Sequence, residues 1–473
     1  MSSEVRGRAE AAGQRRVLII SHDVVGERMA GPGIRYYHLA RVLSKHAATT
    51  LAVPGTAPEE PAPAVFAIRS FVRQDWPSLQ PLVAGADVVV FQGILAYEFP
   101  ELAGCGACLV VDGYDPQLAE ALAVNAHLPE GERAALWQQS YARLDPQYAL
   151  GDFFVCASER QRAWWLGLLE ARGRVNPWTF GEDASLRRLV DVVPFGLPDT
   201  APQHTRQVIK GVWPGIAESD QVILWGGGLW SWLDPLTAIR ALARITHRRP
   251  GVKLVFPGTR HPNPASDAMP NLNQAAMDEA GRLGLLERSV FFGDWVPYAD
   301  WPNVLLESDL ALSLHHDTFE TQLAWRSRVL DYIWSGLPIV ATRGDTTSET
   351  IAAHGLGLVV EYEDVEGVAT AIEHLLDAPR AALNQQFERA RQSLTWERAA
   401  APLIRYCLQP RRAPDKDHLP ADPRAGAYET EKMRLRNERD YWHGLAERYA
   451  QGRFMRMMRR LSEARATLGR RAQ

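Results

Sequence analysis

The feature that most constrains this chain is an alternation of short apolar runs with helix-spaced segments that completes one course and then begins again. Val17-Leu18-Ile19-Ile20 follows a polar tail and has the length of a buried strand, too short for a helix. A glycine-rich stretch over residues 21–33 leads into 34–45, where Ile34, Tyr37, Leu39, Val42 and Leu43 fall at helical spacing. Further strands are expected at 51–53, 87–91, 108–111, 153–156 and 189–193, with a helix from Ser158. Pro194-Phe195-Gly196-Leu197-Pro198 breaks the pattern, and residues 199–219 carry little periodicity. The course then restarts with a strand at 222–225, the run Gly226-Gly227-Gly228, and a helix opened by Asp234-Pro235, residues suited to an N-cap and a first helical turn. Strands follow at 253–256, 290–292, 310–314, 338–341 and 357–360. Such alternation closes as a parallel sheet covered by helices on both faces. Two courses in tandem predict an α/β chain of two Rossmann-like, doubly wound domains facing across a cleft, with ligand outside the carboxyl ends of the strands.

The expected layout is a disordered tail over 1–15, a first domain over 16–196, a second over 197–409, a Pro-rich charged linker over 410–430 and a C-terminal helical extension over 431–473. In the extension Trp442, Leu445 and Tyr449 fall at i, i+3 and i+7, and Phe454, Met457, Met458 and Leu461 continue at similar spacing. The formal charge of −4 conceals a split: residues 431–473 carry 12 Lys and Arg against 5 Asp and Glu, so the remainder is acidic. An acidic body argues against a nucleic-acid partner, which calls for a basic surface. The basic amphipathic helix suits either an anionic membrane surface or a protein partner, through residues 431–465. No run of 18 apolar residues occurs, and residues 1–16 lack the apolar core of a signal peptide. A cytoplasmic chain, in part peripheral on the inner membrane face, is therefore expected. Four Cys are too few for a disulfide scaffold, and Cys105-x-x-Cys108 has no second pair to complete a zinc site.

Gly-x-Ser-x-Gly and Walker motifs are absent, and Gly226-Gly227-Gly228 is not G-x-G-x-x-G, because its helix opens only at Asp234. The run still permits close backbone approach to a ligand, as does Gly31-Pro32-Gly33 ahead of a helix whose amino end can accept an anion. His315-His316-Asp317-Thr318-Phe319-Glu320-Thr321-Gln322 follows a strand and runs toward Gly336-Leu337-Pro338, a C-cap and exit. A diphosphate there would meet backbone N–H groups and the helix dipole. Arg326 and Arg328, two apart, cannot share a helix face: one faces ligand and the other is solvated or ion-paired. Asp331 lies on the side of Arg328, and either hydrogen-bonds a ribose hydroxyl or pairs with that arginine. No Asp or Glu cluster accompanies His315 and His316, so no metal and no resident cofactor are expected.

These residues resemble the retaining glycosyltransferases of family 4, which have the GT-B fold. Gly31-Pro32-Gly33-Ile34-Arg35 resembles the glycine loop after the first strand, and Ala157-Ser158-Glu159 the late element of the first domain. Val193-Pro194-Phe195-Gly196-Leu197 resembles the interdomain hinge, and Gly227-Gly228-Leu229 the phosphate loop. Residues 320–338, ending Ser-Gly-Leu-Pro-Ile-Val-Ala-Thr, resemble the donor motif, and Trp396 the tryptophan of the final crossover. The likeness spans about 17–409. Three departures stand out. The phosphate loop's usual Arg and Lys are replaced by Gly228 and Leu233. The second Glu of the donor motif aligns with Asp331, the first with Leu323, so that Glu320 lies three residues early. Asp112-Gly113-Tyr114-Asp115 stands where a His is usual.

The resemblance implies transfer of a sugar from a nucleotide-diphosphate donor to an acceptor hydroxyl, with retention, without metal, in cell-surface glycan or glycoconjugate synthesis on a glycan or lipid-linked acceptor. Glu320, Asp115 and His22 are the expected catalytic residues. Gly31, Gly33, Gly227, Gly228, Glu320, Thr321, Gln322, Arg326, Arg328 and Asp331 are expected on the donor, with Arg328 the leading substitute cation. The alternatives are a non-catalytic GT-B binding or scaffold protein, and a nucleotide-sugar epimerase or pseudo-glycosyl coupling enzyme on the same fold.

Overall fold

The computed structural model describes residues 14–56, 65–261, 271–418 and 423–452. Seven strands form the first sheet: β1 (Arg16–Ile20), β2 (Ala48–Pro54), β3 (Ala67–Phe71), β4 (Val88–Gln92), β5 (Cys108–Asp112), β6 (Phe153–Cys156) and β7 (Val190–Val192). Their order is β3-β2-β1-β4-β5-β6-β7 and every pairing is parallel. The second sheet holds β8 (Gln221–Leu224), β9 (Val252–Pro257), β10 (Val290–Gly293), β11 (Leu310–Ser313), β12 (Ile339–Thr342) and β13 (Gly357–Val360). Its order is β10-β9-β8-β11-β12-β13, again all parallel. Central strands such as β4 and β11 are buried at every residue, as the continuous apolar runs require. The order reverses between β1 and β4 and between β8 and β11, and those two switch points set where a ligand can enter.

The expected strands are all present. β3 is an addition: Ala67-Ile-Arg-Ser-Phe has only two buried residues and sits at the sheet edge, so it carries no apolar run. A second difference concerns Gly31-Pro32-Gly33. It is not a loop ahead of a helix but the first turn of the helix Gly31–Leu43, with Pro32 where a missing N–H costs no hydrogen bond. Gly33 is a glycine for packing, since a Cβ would lie 2.2 Å from the carbonyl oxygen of Val24.

Both sheets belong to one compact body ending at Asp415, and residues 416–473 form a second unit. Residues 410–415, read from composition as linker, are fastened to the first sheet's domain. Arg174 and Asp415 are a buried ion pair at 2.7 Å, and Ala413 N donates to Asp152 Oδ1 at 3.0 Å. The terminal helix spans Pro423–Gln451, so it starts eight residues before the expected position, with Pro423 as its first residue. Trp442 and Tyr449 are exposed on it. Phe454, Met457, Met458 and Leu461, like the tail over 1–13, lie outside the described residues.

One buried contact ties the first domain's switch point together. Arg35, from the second turn of the helix Gly31–Leu43, meets Asp112 at the end of β5 through two hydrogen bonds of 2.7 and 2.8 Å. Both side chains are fully buried, and Arg35 Nη2 also donates to Val193 O at 2.9 Å. Removing one partner of such a pair strands the other charge, which costs about 3–5 kcal/mol. Asp112→Ala is therefore expected to lower unfolding free energy by roughly that amount. Replacing both residues with apolar ones of matched volume should recover most of the loss. Urea denaturation of the two variants checks this, and a single-variant loss under about 1 kcal/mol would contradict it.

Candidate functional site

A cavity of about 610 Å³ opens between the carboxyl ends of the two sheets. Its wall on the first sheet's side includes His22, Gln92, Asp115, Glu120 and Arg143; its wall on the second includes Gly226–Gly228, Arg328 and Asp331.

On the second side, β8 ends at Leu224 and the chain turns through the glycines. Gly226 N donates to Tyr332 Oη at 2.8 Å, and a Cβ at Gly226 would lie 2.9 Å from that hydroxyl. Gly227 has φ +81°, a left-handed conformation that glycine adopts without strain. Arg328 lies in the first turn of the helix Ser327–Ser335. Its Nη2 donates to Gly228 O at 3.2 Å, its guanidinium lies 5.5 Å from the Trp225 ring centre, and its Nη1 has no partner. Burial pulls its pKa down to about 10, which leaves it charged at neutral pH. The cation missing from the loop's own sequence is thus present beside the loop in space. Asp331 accepts from Trp301 Nε1 at 2.9 Å rather than closing on Arg328, and burial lifts its carboxyl to about 7.

On the first side, His22 follows β1 and packs edge-on against Tyr36. Burial drops its pKa to about 4, so the ring is neutral, and its Nδ1 has no partner. Asp115 accepts from Gln92 Nε2 at 3.1 Å, and its carboxyl is raised to about 7 by burial, with Asp112 adding to the rise. Glu120, in the first turn of the helix Gln117–Val124, is held well above the usual carboxylate range by burial and by Asp115. The sequence reading passed over Glu120 and Gln92. Their signal was positional: Gln92 closes a strand at the switch point, and Glu120 follows Asp115-Pro116 by one helical turn. The aromatic lining, with Trp230, Trp232, Trp295, Trp301 and Trp325, was also missed.

Five residues expected on the donor do not line this cavity. Glu320 and Arg326 form a buried, two-pronged ion pair with both contacts at 2.7 Å, and Arg326 Nε lies 3.5 Å from Asp345. Neither lines the cavity: their charges are spent on each other in a site closed to water. Thr321 is buried and donates to His316 O at 2.7 Å, while Gln322 points to solvent. Gly33 is buried against Val24, whereas Gly31, Gly227 and Gly228 line the cavity as expected. His315 is buried, with Nε2 2.9 Å from Arg343 O and its pKa lowered to about 4 by burial, a packing role. Among the described residues no group of three or more His, Cys, Asp and Glu is placed to hold a metal ion.

Residues 220–378 match the family model described as glycosyl transferases group 1. No curated protein sequence matches the chain. Among solved structures, the chain is similar to sucrose-phosphate synthase from Thermosynechococcus elongatus, with 14% identity and a TM-score of 0.55 over 84% of this chain and 99% of that one. WaaG, a glycosyltransferase involved in lipopolysaccharide biosynthesis, gives 16% identity and 0.56 over 84% and 100%. HepE of Anabaena, solved with UDP-glucose, gives 14% and 0.57 over 83% and 99%. The two parallel sheets of this chain have the GT-B arrangement of these structures.

The raised carboxyl of Asp331 makes a stability prediction. A folded pKa near 7 against about 4 in the unfolded chain means its contribution is full below pH 4 and is lost as pH rises through 7. Asn cannot ionise and can still accept from Trp301. Asp331→Asn should therefore raise the melting temperature relative to wild type by more at pH 8 than at pH 5, measured in the ligand-free protein. An equal shift at both values would show that Asp331 is not held in this way.

Proposed function

We propose that this chain is a glycosyltransferase that moves a sugar from a nucleotide-diphosphate donor to an acceptor hydroxyl. The observation that carries the reading is Arg328, on the cavity wall and set against the Gly226–Gly228 loop, with its Nη1 left without a hydrogen-bond partner. A guanidinium beside a glycine loop that lets backbone approach closely matches a diphosphate, whose charge grows as the sugar departs. Asp331, one helical turn from Arg328, is suited to a ribose hydroxyl. His22, Asp115 and Glu120 face the sugar and acceptor from the other wall. The diphosphate charge is met by Arg328 and backbone donors, so the reading calls on no metal. UDP-glucose in HepE supports a nucleotide-sugar as the donor class. A glycan or lipid-linked acceptor, and with it cell-surface glycan synthesis by a cytoplasmic, peripheral enzyme, extends the reading. The exposed Trp442 and Tyr449 would then meet a membrane surface or a protein partner.

A thermal-shift panel of nucleosides, nucleoside diphosphates and nucleotide-sugars tests this, because a ligand of the native state raises its stability. At least one nucleotide-sugar should raise the melting temperature. Arg328→Ala should weaken that ligand and its nucleoside diphosphate about 10- to 100-fold, the loss of one charge-assisted contact, and leave the nucleoside unchanged. Equal loss for nucleoside and diphosphate, or no stabilising nucleotide at all, would reject the assignment. Asp331→Asn completes the comparison, since it should weaken nucleoside and diphosphate alike.

A further inference from the structure

The arginines that line the cavity are Arg73, Arg143 and Arg328. Arg328 stands at the glycine loop. Arg73 is already matched, since its Nε donates to Glu98 Oε2 at 3.0 Å and Glu98 is 7% exposed. Arg143 has no such partner: among the described residues it makes no hydrogen bond and no ion pair. Its sequence surroundings explain why. In the helix Glu130–Leu150 the positions three and four residues away are Gln139, Ser140, Pro146 and Gln147, so no acid shares its face. The nearest acidic residue along the chain, Asp145, faces Arg172 instead.

The helix is held where Arg143 can meet a ligand. Gln147, one turn on, is buried and covers Gly93 so closely that a Cβ there would lie 1.7 Å from Gln147 Oε1. Gly93 follows the last residue of β4, so this face of the helix lies over the carboxyl end of that strand. Arg174 fixes the helix end, with Nη1 donating to Tyr148 O at 2.6 Å and Nη2 to Gly151 O at 2.9 Å. Arg143 is both exposed and part of the cavity lining, which places it at the rim. Buried on the same wall are two polar atoms without a partner, His22 Nδ1 and Gln92 Oε1, with Asp115 beside Gln92.

We infer that the acceptor is an anionic sugar, one that carries a phosphate or carboxylate group, and that Arg143 at the rim holds that group while the sugar hydroxyls meet the buried polar atoms of the wall. The inference rests on the nucleotide-sugar reading above and adds the chemical class of the acceptor. A guanidinium offers a fork of donors that matches the paired oxygens of either oxyanion. Unlike Arg73, Arg143 gives up no carboxylate partner in order to bind one. The acids of this wall oppose such a ligand only weakly. Asp115 and Glu120 are held toward the neutral form by burial, and Asp23 Oδ1 accepts from Val24 N at 2.8 Å. Two anionic substrates thus find one available cation each, Arg328 on the second sheet's wall for the donor and Arg143 on the first sheet's wall for the acceptor.

The test saturates the full-length protein with the nucleoside diphosphate that the thermal-shift panel returns. Calorimetric titration then compares glucose, galactose and mannose, each beside its phosphate monoester and its uronic acid. In at least one set a charged member should bind about tenfold more tightly than the neutral parent, the effect of one charge-assisted contact at a wetted rim. The phosphate and carboxylate arms show which oxyanion is taken. Arg143→Ala should abolish the preference, and about 300 mM salt should weaken it in the wild type. Arg133→Ala, which removes an exposed arginine of the same helix outside the cavity lining, should leave it intact. Affinity for the nucleoside diphosphate should be unchanged in both variants. Charged and neutral sugars that bind alike, no binding by any charged sugar, a preference that survives Arg143→Ala, or a nucleoside diphosphate weakened by that change overturns the inference and leaves the nucleotide-sugar reading standing. A protein that binds no nucleotide fails that earlier reading, and the inference falls with it.

Discussion

The contact on which the site depends is the Arg35–Asp112 pair. A charge removed wholly from water must be met by a partner of good geometry, and here Nε and Nη2 are so met, while Nη1 has no hydrogen-bond partner. Two hydrogen bonds go to Asp112 and one to the Val193 carbonyl, while the guanidinium lies 4.7 Å from the Tyr114 ring centre and 5.1 Å from that of Phe195. Those partners come from the first helix, the end of β5 and the hinge. Fixing them together fixes Gly31 at the cavity floor, the Gly113–Asp115 turn at its wall, and the exit of the chain toward the second sheet. The same pair consumes the cation that would otherwise neutralise Asp115.

The two sheets are joined by contacts that continue this logic. His38 Nε2 and Tyr298 Oη are 2.7 Å apart, and Tyr298 N donates to Glu27 O at 2.7 Å. Burial lowers the pKa of His38 to about 3, so the bond is one between neutral groups and is insensitive to pH in the working range. Gln161 bridges Tyr114 O and Leu323 O, at 2.7 Å each, so one amide ties the Gly113–Asp115 turn to the end of the short helix Phe319–Leu323. Exposed bridges such as Arg160 with Glu349 add little by comparison. Closure of the cleft therefore rests on buried neutral hydrogen bonds and stacked rings, among them His38 on Trp396 at 5.2 Å.

Much of this was legible in the sequence because it depends on local pattern. Twelve strands could be read directly because they are apolar runs, most of them buried and one, β13, a Gly-Leu-Val-Val run at an edge; β3, with polar Arg69 and Ser70 in its middle, could not. The hinge and the crossover were read as separate landmarks, and in space they touch. Gly196 must be glycine because a Cβ would lie 2.4 Å from the Cα of Trp396, and Leu197 exchanges backbone hydrogen bonds with Leu394 and Trp396. What sequence spacing could not settle was which charges face the cavity. Glu320 and Arg326 are six residues apart, and only the turn between two short helices lets them meet. Arg326 precedes the helix that starts at Ser327, so it is free to turn inward, away from the face that carries Arg328 and Asp331. Asp415 lies within the stretch that composition marks as linker, and its partner Arg174 is 241 residues away.

The arrangement of charge also explains how the cavity does without the usual loop cations. Arg328 is stacked on Trp225 and backed by Gly228 O, so it holds its position without a carboxylate that would cancel its charge. Its nearest acidic neighbour on the helix, Asp331, is lifted to about 7 by burial, against the pull of the Trp301 indole N–H and of Arg328 itself. Arg326, the other candidate, has its charge neutralised by Glu320 and Asp345. One cation kept uncompensated in a partly desolvated site can do what several exposed cations do in water, because the attraction between opposite charges grows as the effective dielectric falls. The carboxyls on the far wall do not undo this. Asp115 and Glu120 are themselves held toward the neutral form, and they belong to the other domain. The division of the cavity into a cationic wall and a wall of carboxyls raised by burial follows from where the fold spends its buried ion pairs: Arg35 on Asp112, Arg326 on Glu320, and Arg328 on neither.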